Sequence, residues 1–253
     1  MSTHKLSRRG YNGIAQVGPS RSGTTLIYNI FRNIFKDTTI EKTHLPFYKH
    51  IDYNFEKLER PVLYAVSIRH PYNSILSLKD FRDLTLEVAT KKYMRYGGHQ
   101  LMAFFDSYLG VNDDGPRAEG LLLFYYEDFF NNVDGVFDKI ESKLDMKIDS
   151  DIKSNILEEW DIENVIEKVN NLEVQQRKNQ IKIKWDPETH LNDNHISERK
   201  GNTHFTELLT DEEIDQLKAD DKLNEIINYF YPSPSTEHPY GWNGDERNKK
   251  RSF

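Results

Sequence analysis

The residues best suited to chemistry lie in Gly18-Pro19-Ser20-Arg21-Ser22-Gly23-Thr24-Thr25, near the start of the 253-residue sequence. Two glycines bound a short loop, and apolar residues at Ile27, Ile30, Phe31, Ile34 and Phe35 then mark one face of a helix. A mostly apolar run, Tyr11 to Val17, precedes the loop and reads as a strand. Strand, glycine-bounded loop and helix together aim backbone N–H groups and a helix N-terminus at one point, the arrangement that holds phosphate. The loop has the Gly-x-x-x-x-Gly frame of nucleoside-triphosphate loops, but Thr24 stands where those carry lysine. The cation is inside the loop instead, at Arg21. That placement weakens the case for Mg²⁺-assisted ATP chemistry and keeps the case for a phosphate. A Gly/Ser turn ahead of a core helix would read the same way from this stretch alone.

The elements that must position this loop can be followed along the chain. Asp37 to Lys42 is a second short extended run, and Pro46 biases Leu45 away from helix, so a loop is expected around His44. Pro61 to Ile68 is apolar on both faces, as a central parallel strand is, and ends at Arg69-His70-Pro71. Tyr72 to Phe81 follows as a helix. Leu121 to Tyr126 is another buried strand, with a helix after it through about Leu144. A short helix is expected within residues 47–60, an aromatic-rich helical stretch over 82–118, and a charged helical stretch over 150–184. Residues 186–200 read as irregular and polar. Thr210-Asp211-Glu212-Glu213 opens a helix with a capping box, and Ile214, Leu217 and Leu223 continue its face. The proline-containing stretch 232–253 reads as a flexible or surface-wrapping tail on one domain spanning 1–253. Alternating strands and helices predict an α/β class, a three-layer P-loop-type fold with a central, mainly parallel sheet flanked by helices. Ligands bind such sheets beyond the carboxyl ends of the strands. Arg21, His44, Arg69 and Tyr126 each follow an expected strand, so four segments deliver polar groups to one edge.

Composition sets bounds on the function. A net charge of −7 argues against a general nucleic-acid or membrane-surface binder, so basic residues gathered at a site would be a local feature. The absence of cysteine removes disulfides and thiolate chemistry and fits a reducing cytoplasm. Met1 to Arg9 is polar and basic with no apolar run behind it, which predicts no signal peptide, and no stretch is apolar enough to span a membrane. No compact His/Asp/Glu group has the spacing of metal ligands.

Four segments, in order, resemble the sulfotransferases that use 3′-phosphoadenosine 5′-phosphosulfate (PAPS). Pro19 to Thr25 resembles the family's 5′-phosphosulfate loop. Lys42-Thr43-His44-Leu45-Pro46 resembles the segment that bears the catalytic histidine of cytosolic members. Arg69-His70-Pro71, with Ser77 downstream, is similar to the strand-loop-helix in which an arginine and a serine hold the 3′-phosphate. Arg199-Lys200-Gly201 is similar to the late loop that closes on that phosphate. Tyr126-Glu127-Asp128 resembles a further family segment whose tyrosine lies near the adenine. The resemblance spans residues 14 to about 205.

The resemblance implies PAPS as co-substrate, its bisphosphate PAP as product, no metal, and a hydroxyl or amine of a small-molecule or glycan acceptor. His44 is then the base, since an ordinary histidine pKa of roughly 6.5 suits work near neutral pH. Lys42 and Arg21 stabilise the leaving 5′-phosphate. Arg21, Ser22, Gly23, Thr24 and Thr25 serve that end of the nucleotide; Arg69, Ser77, Arg199, Lys200 and Gly201 serve the other, and Tyr126 the adenine. Arg69 supplies a bidentate fork. Ser77 falls about two helical turns along, and Ser74, about one turn along, is an alternative donor. The chain departs from the cytosolic pattern at three places. Leu26 stands where a tryptophan usually stacks on adenine, Asn202-Thr203-His204-Phe205 replaces Gly-Asp-Trp, and Arg21 replaces a lysine, leaning toward the bacterial and glycan-type branches.

Two rival readings use the same residues. A P-loop nucleotide kinase or other phosphotransferase would prefer ATP with Mg²⁺, and a non-catalytic nucleotide-binding protein would keep the fold without turnover. His70, His190, His195 and His204 lack the Lys-Thr-His-Leu-Pro context of His44 and read as surface or supporting residues. The run Arg177, Lys178, Lys182, Lys184 reads as a solvated helix face. No motif names the acceptor, which would be met by residues 47–60, 82–118 and 160–195.

Overall fold

Four short strands form one sheet, in which the first, third and fourth carry apolar side chains on both faces that must be covered from both sides, and the more polar second strand lies at an edge. The computed structural model describes Leu6 and residues 10–43, 62–109, 120–130, 132–179, 186, 188–191 and 205–231. In chain order its elements are β1 (Gly13–Val17), α1 (Thr24–Ile34), β2 (Thr39–Thr43), β3 (Val62–Ile68), α2 (Pro71–Arg82), α3 (Leu86–Tyr93) and α4 (His99–Leu109). They continue with β4 (Leu121–Tyr125), α5 (Tyr126–Phe129), α6 (Asp134–Leu144), α7 (Ser150–Glu159), α8 (Ile162–Asn179), α9 (Asp211–Lys218) and α10 (Asp221–Phe230). All strand pairs are parallel, in the order β2-β1-β3-β4.

The register aligns Val17 with Thr43 and Val66, and Ile68 with Tyr125, so the carboxyl ends of the strands open on one edge. Ala15, Val17, Val62, Tyr64, Val66 and Ile68 face one hydrophobic cluster, which α2, α3, α4, α9 and α10 cover. Ile14, Leu63, Ala65, Leu122 and Phe124 face the other, covered by α1, α6 and α7. This alternation is the period-two pattern of a strand buried on both faces. The expected parallel sheet between helical layers is what the chain forms.

Element boundaries differ from expectation in instructive ways. The helical stretch expected over 150–184 is two helices, α7 and α8. Trp160 is buried at the end of α7, and the Asp161 carboxylate accepts the Glu163 N–H at 3.0 Å to start the next helix. The face of Ile214, Leu217 and Leu223 likewise belongs to two helices, because the Asp220 side chain accepts the Leu223 N–H at 3.1 Å and caps α10. The capping box at Thr210 and Glu213 is present. Between α3 and α4 the chain widens into a π-helical turn, Met94–Gly98. Buried residues there recur at Ala89, Tyr93, Gly97 and Leu101, every fourth position, which exceeds the 3.6-residue α repeat. The short helix expected in 47–60, most of the irregular stretch 186–200 and the tail 232–253 lie outside the described residues. Among the described residues no helix is long and apolar enough to cross a membrane.

Candidate functional site

The loop after β1 is held from beneath. A side chain at Gly18 would come within 2.5 Å of the Ser67 carbonyl oxygen, so only glycine lets the loop leave β1 this close to β3. Ser22 is fully buried; its hydroxyl donates to the Pro19 carbonyl at 2.7 Å and lies 3.1 Å from the Ser67 hydroxyl. Ser67 in turn accepts from the Gln16 amide at 3.2 Å. Arg21 and Gly23 both adopt left-handed backbone, with φ of 72° and 78°. At Gly23 a Cβ would also strike the Phe129 ring at 2.6 Å. Helix α1 then starts with no side-chain cap and no acidic residue in its first turn. Its first N–H groups and its positive dipole end are thus left for an anion. Thr24 is buried at the first helical position, and Thr25 follows it.

Three cations from three strands reach this loop. Arg69, at the end of β3, is 7% exposed. Its Nη1 donates to the Arg21 carbonyl at 3.3 Å, and its guanidinium lies 4.3 Å from the centre of the Tyr126 ring. Arg21 Nε donates to Ser77 Oγ at 2.8 Å, with the guanidinium 4.9 Å from the Phe81 ring centre. Burial, followed by the Arg69 charge, pushes the Arg21 pKa down. Lys42, on edge strand β2, donates to Thr25 Oγ1 at 2.6 Å. Burial pushes its ammonium down to about 8, and among the described residues no carboxylate pairs with it. Burial raises the Tyr126 phenol to about 12, against the pull of both arginines, so the ring presents a neutral hydroxyl.

The structure therefore brings Arg21, Ser22, Gly23, Thr24, Thr25, Lys42, Arg69, Ser77 and Tyr126 to one edge of the sheet. Ser77, expected beside Arg69, is bonded to Arg21. His44, Arg199, Lys200 and Gly201 lie outside the described residues.

His70 and His190, read from the sequence as surface or supporting residues, have their partners set by the fold, as do Glu127 and Asn73. Glu127 accepts the His70 N–H at 2.7 Å and the Tyr231 hydroxyl at 3.1 Å, tying the turn after Arg69 to the end of α10. His70 caps α2, accepting the Tyr72 N–H at Nδ1 at 3.3 Å, and its ring stacks on Phe205. Asn73 Oδ1 accepts the Phe205 N–H at 2.9 Å. The first described residue after the late basic segment thus sits on the first turn of α2. His190 meets the Tyr28 ring edge-on at 4.7 Å, and burial and the Lys42 charge hold its pKa down. Among the described residues no group of three or more His, Cys, Asp or Glu could hold a metal ion.

No protein-family model matches the sequence, and no curated protein matches it. Solved structures do. The chain is similar to mouse sulfotransferase SULT7A1 complexed with PAP, at a TM-score of 0.53 and 10% identity over 85% of this chain and 88% of that one. It is also similar to retinol dehydratase in a complex with retinol and PAP, at a TM-score of 0.54 and 13% identity over 85% of this chain and 81% of that one. At these identities the likeness is one of fold: the chain shares the fold of these two PAP-bound proteins.

Proposed function

We propose that the chain is a PAPS-dependent sulfotransferase, working as one domain over 1–253, that moves a sulfuryl group to a hydroxyl or amine of a small-molecule or glycan acceptor. One observation carries the reading. The loop that would hold the 5′ end and the arginine that would hold the 3′-phosphate meet at one edge of the sheet, with Arg69 Nη1 3.3 Å from the Arg21 carbonyl oxygen. An uncapped helix N-terminus and a half-buried lysine paired with no described carboxylate suit an anionic co-substrate.

In the proposed reaction His44 takes the proton from the acceptor hydroxyl. The acceptor oxygen forms a bond to sulfur in line with the leaving group. The bond from sulfur to the 5′-phosphate oxygen breaks, and its electron pair stays on that oxygen, giving PAP. Lys42 and Arg21, with the N–H groups opening α1, stabilise the charge that gathers there. Arg69 holds the 3′-phosphate, and Ser77 stands where the two ends meet. Tyr126 presents its ring beside Arg69 for the adenosine. Arg199, Lys200 and Gly201 complete the 3′ end, a role supported by the anchoring of Phe205 beside Asn73.

A thermal-shift comparison of PAP with ATP–Mg²⁺ tests the reading. PAP is expected to raise the melting temperature more; a larger effect of ATP–Mg²⁺ would replace it with a phosphotransferase. His44→Ala is expected to lower turnover by roughly 10²–10⁴-fold while leaving PAP affinity unchanged. Wild-type turnover in that variant would remove His44 from the role of base.

A further inference from the structure

Phe81 has no explanation in the core. It belongs to neither hydrophobic cluster and is half-buried, yet its ring lies under two guanidiniums, that of Arg21 at 4.9 Å and that of Arg82 at 5.2 Å. Ser77 stands one turn earlier on α2, on the same face, and accepts from Arg21 Nε at 2.8 Å. Arg21 itself has a left-handed backbone, unusual for a residue with a side chain, which persists only where neighbours over-determine it. Ser77, the Phe81 ring and the attraction of Asp80 all act on the guanidinium from one helix, while Arg69 holds the Arg21 carbonyl from the other side.

We infer that Ser77 and Phe81 form a seat on α2 that positions Arg21, so that Ser77 acts on the loop end of the nucleotide through that arginine. The inference rests on the proposed nucleotide site and changes one assignment within it, since the resemblance puts Ser77 on the 3′-phosphate. It adds Phe81 as a positioning residue that no motif marks. It also couples the two ends of the site, because α2 follows directly from Arg69 and carries the seat of Arg21.

Two measurements test this. The first needs no nucleotide. In the full chain, the ¹H–¹⁵N resonance of Arg21 Nε–H, identified by its loss in Arg21→Lys, is expected to be protected from exchange. Ser77→Ala should move it toward the solvent-exposed position, Phe81→Leu should do so in part, and Phe81→Tyr should restore it. An unchanged resonance in Ser77→Ala, in a variant with wild-type melting temperature, would overturn the seat.

The second compares affinities for adenosine 5′-monophosphate, adenosine 3′-monophosphate and PAP. Ser77→Ala should weaken the 5′-monophosphate and PAP about tenfold, as loss of a hydrogen bond to a charged group does, and leave the 3′-monophosphate unchanged. Combined with Arg21→Lys it should add little further loss. A loss confined to the 3′-monophosphate would return Ser77 to the 3′-phosphate. If the wild-type chain bound none of the three, the sulfotransferase reading would fall, and the resonance would still decide the seat.

Discussion

Two charges in this molecule, one buried and one half-buried, are treated in opposite ways. Glu141, on α6, is 7% exposed and gathers its partners closely. Lys153 lies 2.8 Å from one carboxylate oxygen, Lys147 lies 3.0 Å from the other, and the Ile148 N–H donates at 2.9 Å. These bonds hold its pKa down at about 2. Lys42, at the carboxyl edge of the sheet, is bonded to a single hydroxyl, and burial lowers its pKa to about 8. One region closes its charges on itself and stabilises the fold. The other keeps cations together at a cost to the fold, and an incoming anion would offset that cost. The contrast separates an ion cluster that serves structure from one that, in the proposed function, serves a ligand.

The largest effect that would sharpen this contrast is expected from Lys42→Met. PAP affinity should fall on the order of 100-fold, as when one partner of a close charge pair is removed, while the melting temperature stays level or rises. A lower melting temperature with unchanged affinity would make Lys42 structural. The wild-type pH dependence points the same way. The folded pKa lies below the ordinary 10.5, so the penalty of a buried ammonium is present below about pH 8 and is relieved as pH rises toward 10.5. PAP binding should therefore weaken as pH rises through about 8, and titration calorimetry should show no such inflection in Lys42→Met.

Glu141→Gln should do the reverse, leaving PAP affinity unchanged and lowering stability by about 1–3 kcal/mol, or about 2–4 °C per kcal/mol in a domain of this size. The folded pKa here lies below the ordinary 4.5, so the contribution is fully present above that value and is lost as pH falls through about 2. Urea titrations from neutral to acid pH should show that slope in the wild type and not in the variant. Lys147→Ala should have the smallest effect, under about 1 kcal/mol by the same titration, because that side chain is 89% exposed and Lys153 remains. An effect equal to that of Glu141→Gln would make the cluster depend on its outermost member.

The sheet was legible because Val62 to Ile68, interrupted only by Ser67, and Leu121 to Tyr125 carry apolar runs too short for helices and buried on both faces. The loop from Gly18 to Thr25 was legible because turn chemistry is local: glycines, a proline and a helical stripe lie within one window. The breaks at Trp160 and Asp220 were harder, since each depends on one residue leaving a helix while the pattern continues. The pairings of Ser77 with Arg21, of Glu127 with His70 and Tyr231, and of His190 with Tyr28 were not legible at all. Each joins residues far apart in sequence, and no periodicity records which helix face meets which loop.

The π-helical turn between α3 and α4 has a consequence for how this chain tolerates change. With positions 89, 93, 97 and 101 all inward, an unbroken α-helix would drift by about 40° at every step of four. The widened turn absorbs that drift and brings Leu101, Phe104 and Phe105 round to the sheet. Removing one residue from Met94–Gly98 would rotate the three rings and chains beyond it by about 100°, away from their partners. The length of this stretch is thus fixed, and homologous chains aligned across it should carry their gaps elsewhere.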